Sequence, residues 1–408
     1  MLAFVFLAAI AAFTNAYPYY MDRYKKEILS GIEPATMSEL VLPWGYPLEE
    51  HQVETEDGYI LTVYRIPYGA NGSESLQTRP VLILQHGLLC SSACWVLSVP
   101  AKGLGFVLAD AGYDVWIGNS RGTTYSRKHK TLNPEDPLDK EQYWNFSFHE
   151  LGYYDLPATI DYALNFTGQS KVYYVGHSQG TSLFFAMAST RPEYNDKVVV
   201  SSQLAPVAFL DHTRGAVRVL VSFSKVLSWL TEHLGIYEVL SNNFFLDLLD
   251  SSLCKQTAIT QPICDNILFL IAGYDSQQLN TSLVEIIGDH CPAGASTKQL
   301  IHYAQLATNG EKFRQFDYGD ENENIYGTSE PPEYDVSKIR SPIVLHYADN
   351  DWLAGTLDVE NLYSKLPEGS KQKLEVPYPY FNHLDFMWAI DVRPLLYDPM
   401  IEIMKKYH

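Results

Sequence analysis

At 408 residues, with 46% hydrophobic and 19% charged side chains, the chain can bury a large core, which excludes disorder on a large scale. Its formal charge of −19 at pH 7 argues against a basic nucleic-acid-binding surface and against attraction to anionic membranes. The acidic balance also suits an acidic compartment, where partial carboxylate protonation relieves self-repulsion.

Residues 1–16 read as a secretory signal. Leu2 to Phe13 is an unbroken apolar run too short to span a bilayer, and Thr14-Asn15-Ala16 ends on a small residue suited to cleavage. No later run offers about 20 apolar residues free of charge, so no transmembrane anchor is expected. Asn71, Asn145, Asn165 and Asn280 open Asn-x-Ser/Thr sequons and are glycosylation candidates. Asn145 sits among aromatic residues, which favours its burial. In an oxidising compartment the five cysteines, Cys90, Cys94, Cys254, Cys264 and Cys291, allow two pairs and leave at least one thiol over. Cys254 and Cys264 enclose a short Thr/Gln/Pro loop and are the expected bridge. No Cys/His spacing resembles a zinc site, so neither metal nor cofactor is expected.

Strand-like residues flank Asp57-Gly58 in Val53–Tyr64, which predicts a hairpin. Pro80–Gln85 is a continuous apolar strand that ends at His86-Gly87-Leu88-Leu89. Helices and strands then alternate: a helix near 105–111, strand 113–117, a helix near 154–165, strand 171–175, another helix and strand 198–202. Largely apolar strands in this alternation predict an α/β fold, a mostly parallel central sheet with helices on both faces. Around Pro206 the rhythm breaks, and it returns only at Ile343–Tyr347, followed by a helix around 359–366, strand 372–376 and a closing helix from about Leu395. The mature chain therefore divides into a first core segment, 17–206, a largely helical cap insertion, 207–335, and a second core segment, 336–408. Ala216–His233 reads as an amphipathic helix with a wide apolar face, and the apolar runs 243–249 and 267–271 add to it. Such a helix either packs on the main domain or caps a site for lipid. An insert this apolar suits lipid esters better than charged substrates.

Lys171–Phe185 carries the chemistry. A β-branched and aromatic run reaches Gly176-His177-Ser178-Gln179-Gly180 and continues into small and apolar residues at helical spacing. That is the context of a nucleophile elbow, a strand-to-helix turn so tight that glycine is needed on both sides of the serine. The pattern is loose, and a chance match is expected about one time in seven in a chain of this length. Gly118-Asn119-Ser120-Arg121-Gly122 is a second match, but a polar loop follows it, so Ser120 reads as a structural turn.

A serine hydroxyl needs a base within hydrogen-bond reach, and the base needs a carboxylate to fix its tautomer. Asp349 and Asp351 follow strand 343–347, and His383 lies on the loop after the last strand. The order Ser, Asp, His matches the α/β-hydrolase arrangement. The residues alone leave the choice between Asp349 and Asp351 open. Two backbone N–H donors should meet the developing oxyanion, those of Gln179 and Leu88.

Taken together, Thr55–Leu61, Gln85–Leu89, Ala109–Gly122, Tyr154–Asp161, Gly176–Gly180, Asp351–Ala354 and Asn382–Phe386 resemble the acid lipase family, which includes gastric lipase, lysosomal acid lipase and insect lipase-3-like enzymes. The resemblance runs over nearly the whole mature chain. It implies an α/β-hydrolase fold with Ser178 as nucleophile, His383 as base, Asp351 as acid, and Leu88 and Gln179 as oxyanion donors. It also implies a cap between the sixth and seventh core strands and a Cys254–Cys264 bridge. Cys90, Cys94 and Cys291 depart from the mammalian members, as does the stretch around Asn133–Glu141. The expected function is a secreted or lysosomal lipase that hydrolyses neutral lipid carboxyl esters at a lipid–water interface, triacylglycerol foremost. Cholesteryl esters and short-chain esters are rivals within that class. A lipase-fold lipid-binding protein without turnover, and a serine peptidase or thioesterase, are rivals outside it. Oligomeric state leaves no trace in the sequence.

Overall fold

The computed structural model describes residues 34–72, 78–215, 218, 235–239, 272, 273, 275 and 277–407. The expected signal, nearly all of the helix expected over 216–233, the apolar runs 243–249 and 267–271, and Cys254 and Cys264 lie outside the described residues.

The main sheet is built from β1 (Glu49–Glu54), β2 (Tyr59–Ile66), β3 (Val81–Gln85), β4 (Asp114–Ile117), β5 (Lys128–His129), β6 (Val172–His177), β7 (Val198–Leu204), β10 (Ile343–Tyr347) and β11 (Lys371–Glu375). A small second sheet pairs β8 (Glu238–Val239) with β9 (Ala295–Ser296). The order across the main sheet is β1-β2-β4-β3-β6-β7-β10-β11, with β5 added beside β2. From β4 to β11 neighbouring strands run parallel, and β1, β2 and β5 supply the antiparallel end. The hairpin predicted around Asp57-Gly58 is the β1–β2 pair, with Glu54 opposite Ile60 and Gly58 at φ 97°.

Burial explains the strand compositions. Strands β3, β4, β6 and β10 are buried at every position, as a parallel sheet covered on both faces requires. The two outermost strands, β1 (EEHQVE) and β11 (KQKLE), are rich in charge and partly exposed, which discourages pairing with another chain. Helices α1 (Leu104–Asp110), α2 (Leu156–Thr167), α3 (Gln179–Thr190), α6 (Thr356–Lys365) and α7 (Asp398–Met404) pack on the sheet, and α4 (Thr281–His290) and α5 (Thr297–Leu306) belong to the insert between β7 and β10.

Helix α5 begins in a capping box, Ser296 with Gln299, and lies directly against α3. Gln299 Nε2 donates to Gln179 Oε1 at 2.9 Å, and Tyr303 Oη donates to Ser182 Oγ at 3.2 Å. Asn145 is exposed, contrary to the expectation from its aromatic neighbours: Trp144 and Phe146 turn inward, while its side chain accepts a bond from Lys298 Nζ. Asn71 and Asn165 are also exposed, whereas Asn280 is half-buried and its Oδ1 caps α4 by accepting from Ser282 N.

The second Gly-x-Ser-x-Gly segment is a bracket. Asn119 accepts from Ser92 N at 2.8 Å and donates to Thr62 O at 2.9 Å. Ser120 N donates to His86 Nε2 at 3.1 Å, and Ser120 Oγ accepts from Gln85 Nε2 at 3.0 Å. Arg121 is buried between two carboxylates, with Nε donating to Asp155 at 2.7 Å and Nη2 to Asp57 at 2.8 Å. The guanidinium also lies 3.9 Å from the Tyr59 ring centroid. Removing one member of such a group leaves a desolvated charge unpaired. Arg121→Met is therefore expected to cost about 3–5 kcal/mol of stability. Urea denaturation followed by tryptophan fluorescence measures this; a loss under about 1 kcal/mol would mean that Asp155 finds other partners.

Candidate active site

All the parallel strands point the same way, so the loops that follow them gather at one edge of the sheet. Ser178 follows β6, Leu88 follows β3, Asp351 follows β10 and His383 follows β11.

Ser178 sits at φ 52°, ψ −118°, a conformation that non-glycine residues rarely adopt, and it is the residue before the first turn of α3. Its neighbours explain how the turn closes. A Cβ on Gly180 would stand 2.4 Å from Gln85 O, and one on Gly176 would stand 2.8 Å from the backbone of Gly180. Ser178 N donates to Leu204 O at 3.0 Å, which ties the turn to the end of β7. Helix α3 begins at Gln179, whose N–H, in the first turn, has no acceptor within the helix. Leu88 faces the same turn from the β3 loop, where a Cβ on Gly87 would stand 3.0 Å from Ser178 Cβ.

Of the two aspartates after β10, Asp351 is the one that reaches His383. It is fully buried, and His383 Nδ1 lies 2.8 Å from its Oδ2 and 3.0 Å from its Oδ1. Asp351 Oδ1 also accepts from Leu353 N at 2.8 Å and Ala354 N at 2.9 Å, so its orientation is set by backbone. Asp349 is exposed and accepts from Thr356 Oγ1 at 3.1 Å instead.

Five residues around this site were not singled out from the sequence. His177 precedes the serine, is buried, and its Nε2 lies 3.0 Å from the His383 carbonyl oxygen, which can only accept. The proton is therefore on Nε2, and burial, with the nearby His383, pulls the His177 pKa down to about 3, which keeps the ring neutral. His177 thus fastens the His383 backbone to the serine turn. Gly273, at φ 114°, lets the insert pass between the Asp351 and His383 loops, where a Cβ would stand 2.2 Å from Asn350 O. There Gly273 O accepts from Asn382 Nδ2 at 3.0 Å, and the adjacent Ala272 O accepts from His383 N at 3.2 Å. Asp385 accepts from Asn382 N at 2.7 Å. Gln299 completes the set through Gln179. Nothing in chain order links residues 272, 273 or 299 to position 383, so only the fold reveals these contacts.

A buried carboxylate fixing an imidazole and a serine on a strained turn are parts used in acyl transfer. The chain matches the partial alpha/beta-hydrolase lipase region over residues 37–99 and the alpha/beta hydrolase fold over residues 80–224. It is 42% identical over 370 residues to gastric triacylglycerol lipase of Rattus norvegicus, covering 90% of this chain and 91% of that one. It is 40% identical over 389 residues to lysosomal acid lipase/cholesteryl ester hydrolase of Homo sapiens, covering 93% and 94%. The chain belongs to the gastric and lysosomal acid lipase family. Another member, lipase 3 of Drosophila melanogaster, is 42% identical over 385 residues, covering 93% of this chain and 95% of that one. The acid lipase chain also shares its fold with solved α/β-hydrolases. A putative lipase from Sulfolobus solfataricus aligns with a TM-score of 0.56 at 13% identity, covering 88% of this chain and 99% of that one. Monoglyceride lipase of Saccharomyces cerevisiae aligns at 0.53 and 15% identity, covering 88% and 94%. No helix among the described residues is long and apolar enough to cross a membrane.

Burial pushes the Asp385 pKa up to about 8, with the Asp275 and Asp351 carboxylates adding to it against the Asn382 backbone bond. A carboxyl whose pKa is raised by folding stabilises the folded state most at low pH. That contribution is lost as pH rises from about 4, the unfolded value, through about 8. Asp385→Asn keeps the oxygen that accepts from Asn382 N but cannot ionise. The decline in melting temperature between pH 4 and pH 8 should therefore be shallower in the variant than in the parent. Parallel slopes in thermal scans would assign the pH dependence to other groups.

Proposed function

We propose that this protein is a serine ester hydrolase that cleaves neutral lipid carboxyl esters, with Ser178 as nucleophile, His383 as general base and Asp351 as the acid. The single observation that carries the roles is the Asp351–His383 pair, held by the His177 contact beside a serine at positive φ. Ser178 Oγ attacks the ester carbonyl carbon while His383 Nε2 takes its proton. The Leu88 and Gln179 N–H groups stabilise the oxyanion. His383 then protonates the departing alcohol, leaving an acyl-enzyme on Ser178. Water, deprotonated by His383, releases the fatty acid and restores the serine. Asp351 holds the imidazole by Nδ1 throughout and stabilises the imidazolium that forms.

Triacylglycerol is the leading substrate, and the apolar insert argues for a ligand presented at a lipid–water interface. The relatives named for triacylglycerol and for cholesteryl ester support the neutral-lipid class, with the two as competing preferences. The signal-like residues 1–16 and the exposed sequons at Asn71, Asn145 and Asn165 support a secreted or lysosomal protein.

Ser178→Ala should lower hydrolysis of emulsified triacylglycerol by at least about 10⁴-fold with an unchanged melting temperature. Asp351→Asn, which leaves the imidazole in the wrong tautomer, should lower kcat by about 10⁴-fold. Full activity in Ser178→Ala would remove the serine mechanism. Rates on triacylglycerol, cholesteryl ester and a soluble short-chain ester, compared from acid to neutral pH, rank the substrates within the class.

A further inference from the structure

Three cysteines meet behind the candidate oxyanion loop. Cys90 and Cys94 lie on the segment that follows Leu88, and Cys291 ends α4 in the insert. Their sulfurs all lie within 4.8 Å of one another, with Cys94 Sγ 2.9 Å from Cys291 Sγ and Cys90 Sγ 3.6 Å from Cys291 Sγ. Cys90 and Cys94 are buried and Cys291 is half-buried. We propose that Cys94 and Cys291 form a disulfide that ties the insert to the loop carrying Leu88, with Cys90 left as a protected thiol.

The geometry separates this from the alternatives. Two thiolates on one tetrahedral zinc, each about 2.3 Å from the metal, stand roughly 3.8 Å apart. The Cys94–Cys291 separation of 2.9 Å is well inside that, and it closes to the disulfide length of about 2.05 Å with less than an ångström of sulfur movement. Among the described residues no His, Asp or Glu joins the three sulfurs in a group within 4.8 Å, and of the nearby imidazoles His86 has Nδ1 on Gly87 O and Nε2 engaged by Ser120 N. A resting group of three reduced thiols, which pack as small apolar side chains, is the remaining alternative. The secretory route on which the bridge relies belongs to the proposed function above.

The bridge sits where the insert and the loop already touch. Ala293 N donates to Leu89 O at 2.7 Å, and Thr124 N donates to Ala293 O at 2.9 Å. Trp388 Nε1, from the segment after His383, donates to Cys94 O at 3.2 Å. A covalent link at this point holds the β3 loop, the insert and the segment after His383 in one frame, so the backbone that carries Leu88 is held beside the serine turn. The oxidant is a small-molecule disulfide of the glutathione type, met before the insert closes over the loop. Cys94 thiolate attacks one of its sulfurs and expels the first small thiol. Cys291 thiolate then attacks Cys94 Sγ and expels the second. Two protein thiols become one disulfide, and the small disulfide becomes two thiols that carry the two protons.

The test uses the full chain secreted from a eukaryotic host, alkylated under denaturing conditions without reductant, digested and fragmented by mass spectrometry. The expected result is a peptide pair cross-linked through Cys94 and Cys291, with Cys90 alkylated. Cys90→Ser should keep that cross-link. Cys291→Ser should lower the melting temperature by at least about 3 °C. The double variant Cys94→Ser/Cys291→Ser should lower it no further than Cys291→Ser alone, because one bond is lost in both. Alkylation of all three cysteines, a cross-link through Cys90, or one zinc per chain in elemental analysis of the parent would each overturn the bridge. These readouts are independent of Ser178, so a failed bridge and a failed hydrolase are told apart by whether parent activity survives.

Discussion

The turn at Ser178 is the constraint around which the rest of the molecule is arranged. A serine at φ 52° carries strain of order 1–3 kcal/mol and persists only where the surroundings over-determine it. Here they do. Ser178 N bonds to the end of β7, Tyr174 Oη bonds to Gly180 O at 2.6 Å, and Thr181 Oγ1 bridges Ser178 O and Val207 N at 2.6 and 2.7 Å. Glycine at 176 and 180 removes the atoms that would otherwise collide, allowing α3 to start against the β3 loop. The strand, the helix and the neighbouring loop are thus fixed by one local geometry, and the candidate oxyanion donors follow from it.

A second layer of support comes from segments distant in sequence. The His383 loop is held from the β6 side by the neutral His177 ring and from the insert by Ala272 and Gly273. The β3 loop is held by Asn119 and Ser120, so the motif that competes with Gly176–Gly180 in the sequence turns out to brace its partner. The described part of the insert is therefore part of the site's frame. It reaches the turn at Gln299, the His383 backbone at Ala272 and the candidate oxyanion loop at Ala293.

Most of the sheet was legible in the sequence because its signals are local and strong. Continuous apolar strands bounded by glycine and proline, alternating with helical segments, marked β3, β4, β6, β7 and β10 to within a few residues. The turn chemistry of Asp57-Gly58 marked the β1–β2 hairpin. Boundaries moved where tertiary contacts extend an element: the strand read as 171–175 continues through His177, because that imidazole is buried against the His383 loop. The burial expected for Asn145 failed for a related reason. Two aromatic neighbours can turn inward while the residue between them points to solvent and to Lys298.

The sequence by itself determined the fold class and the serine on its tight turn, since each rests on residue types at short spacing, and it offered Asp349, Asp351 and His383 as candidates on the loops after the late strands. Chain order could not decide which aspartate faces His383, because Asp349 and Asp351 share one loop and differ only in where the backbone turns them. Nor could it place Asp275 beside Asp385, Gln299 beside Gln179, or Cys94 beside Cys291. Those contacts join residues about 110 to 200 positions apart, and no local propensity encodes them. They exist only once the parallel strands have brought their loops to one edge and the described segments of the insert have packed against them.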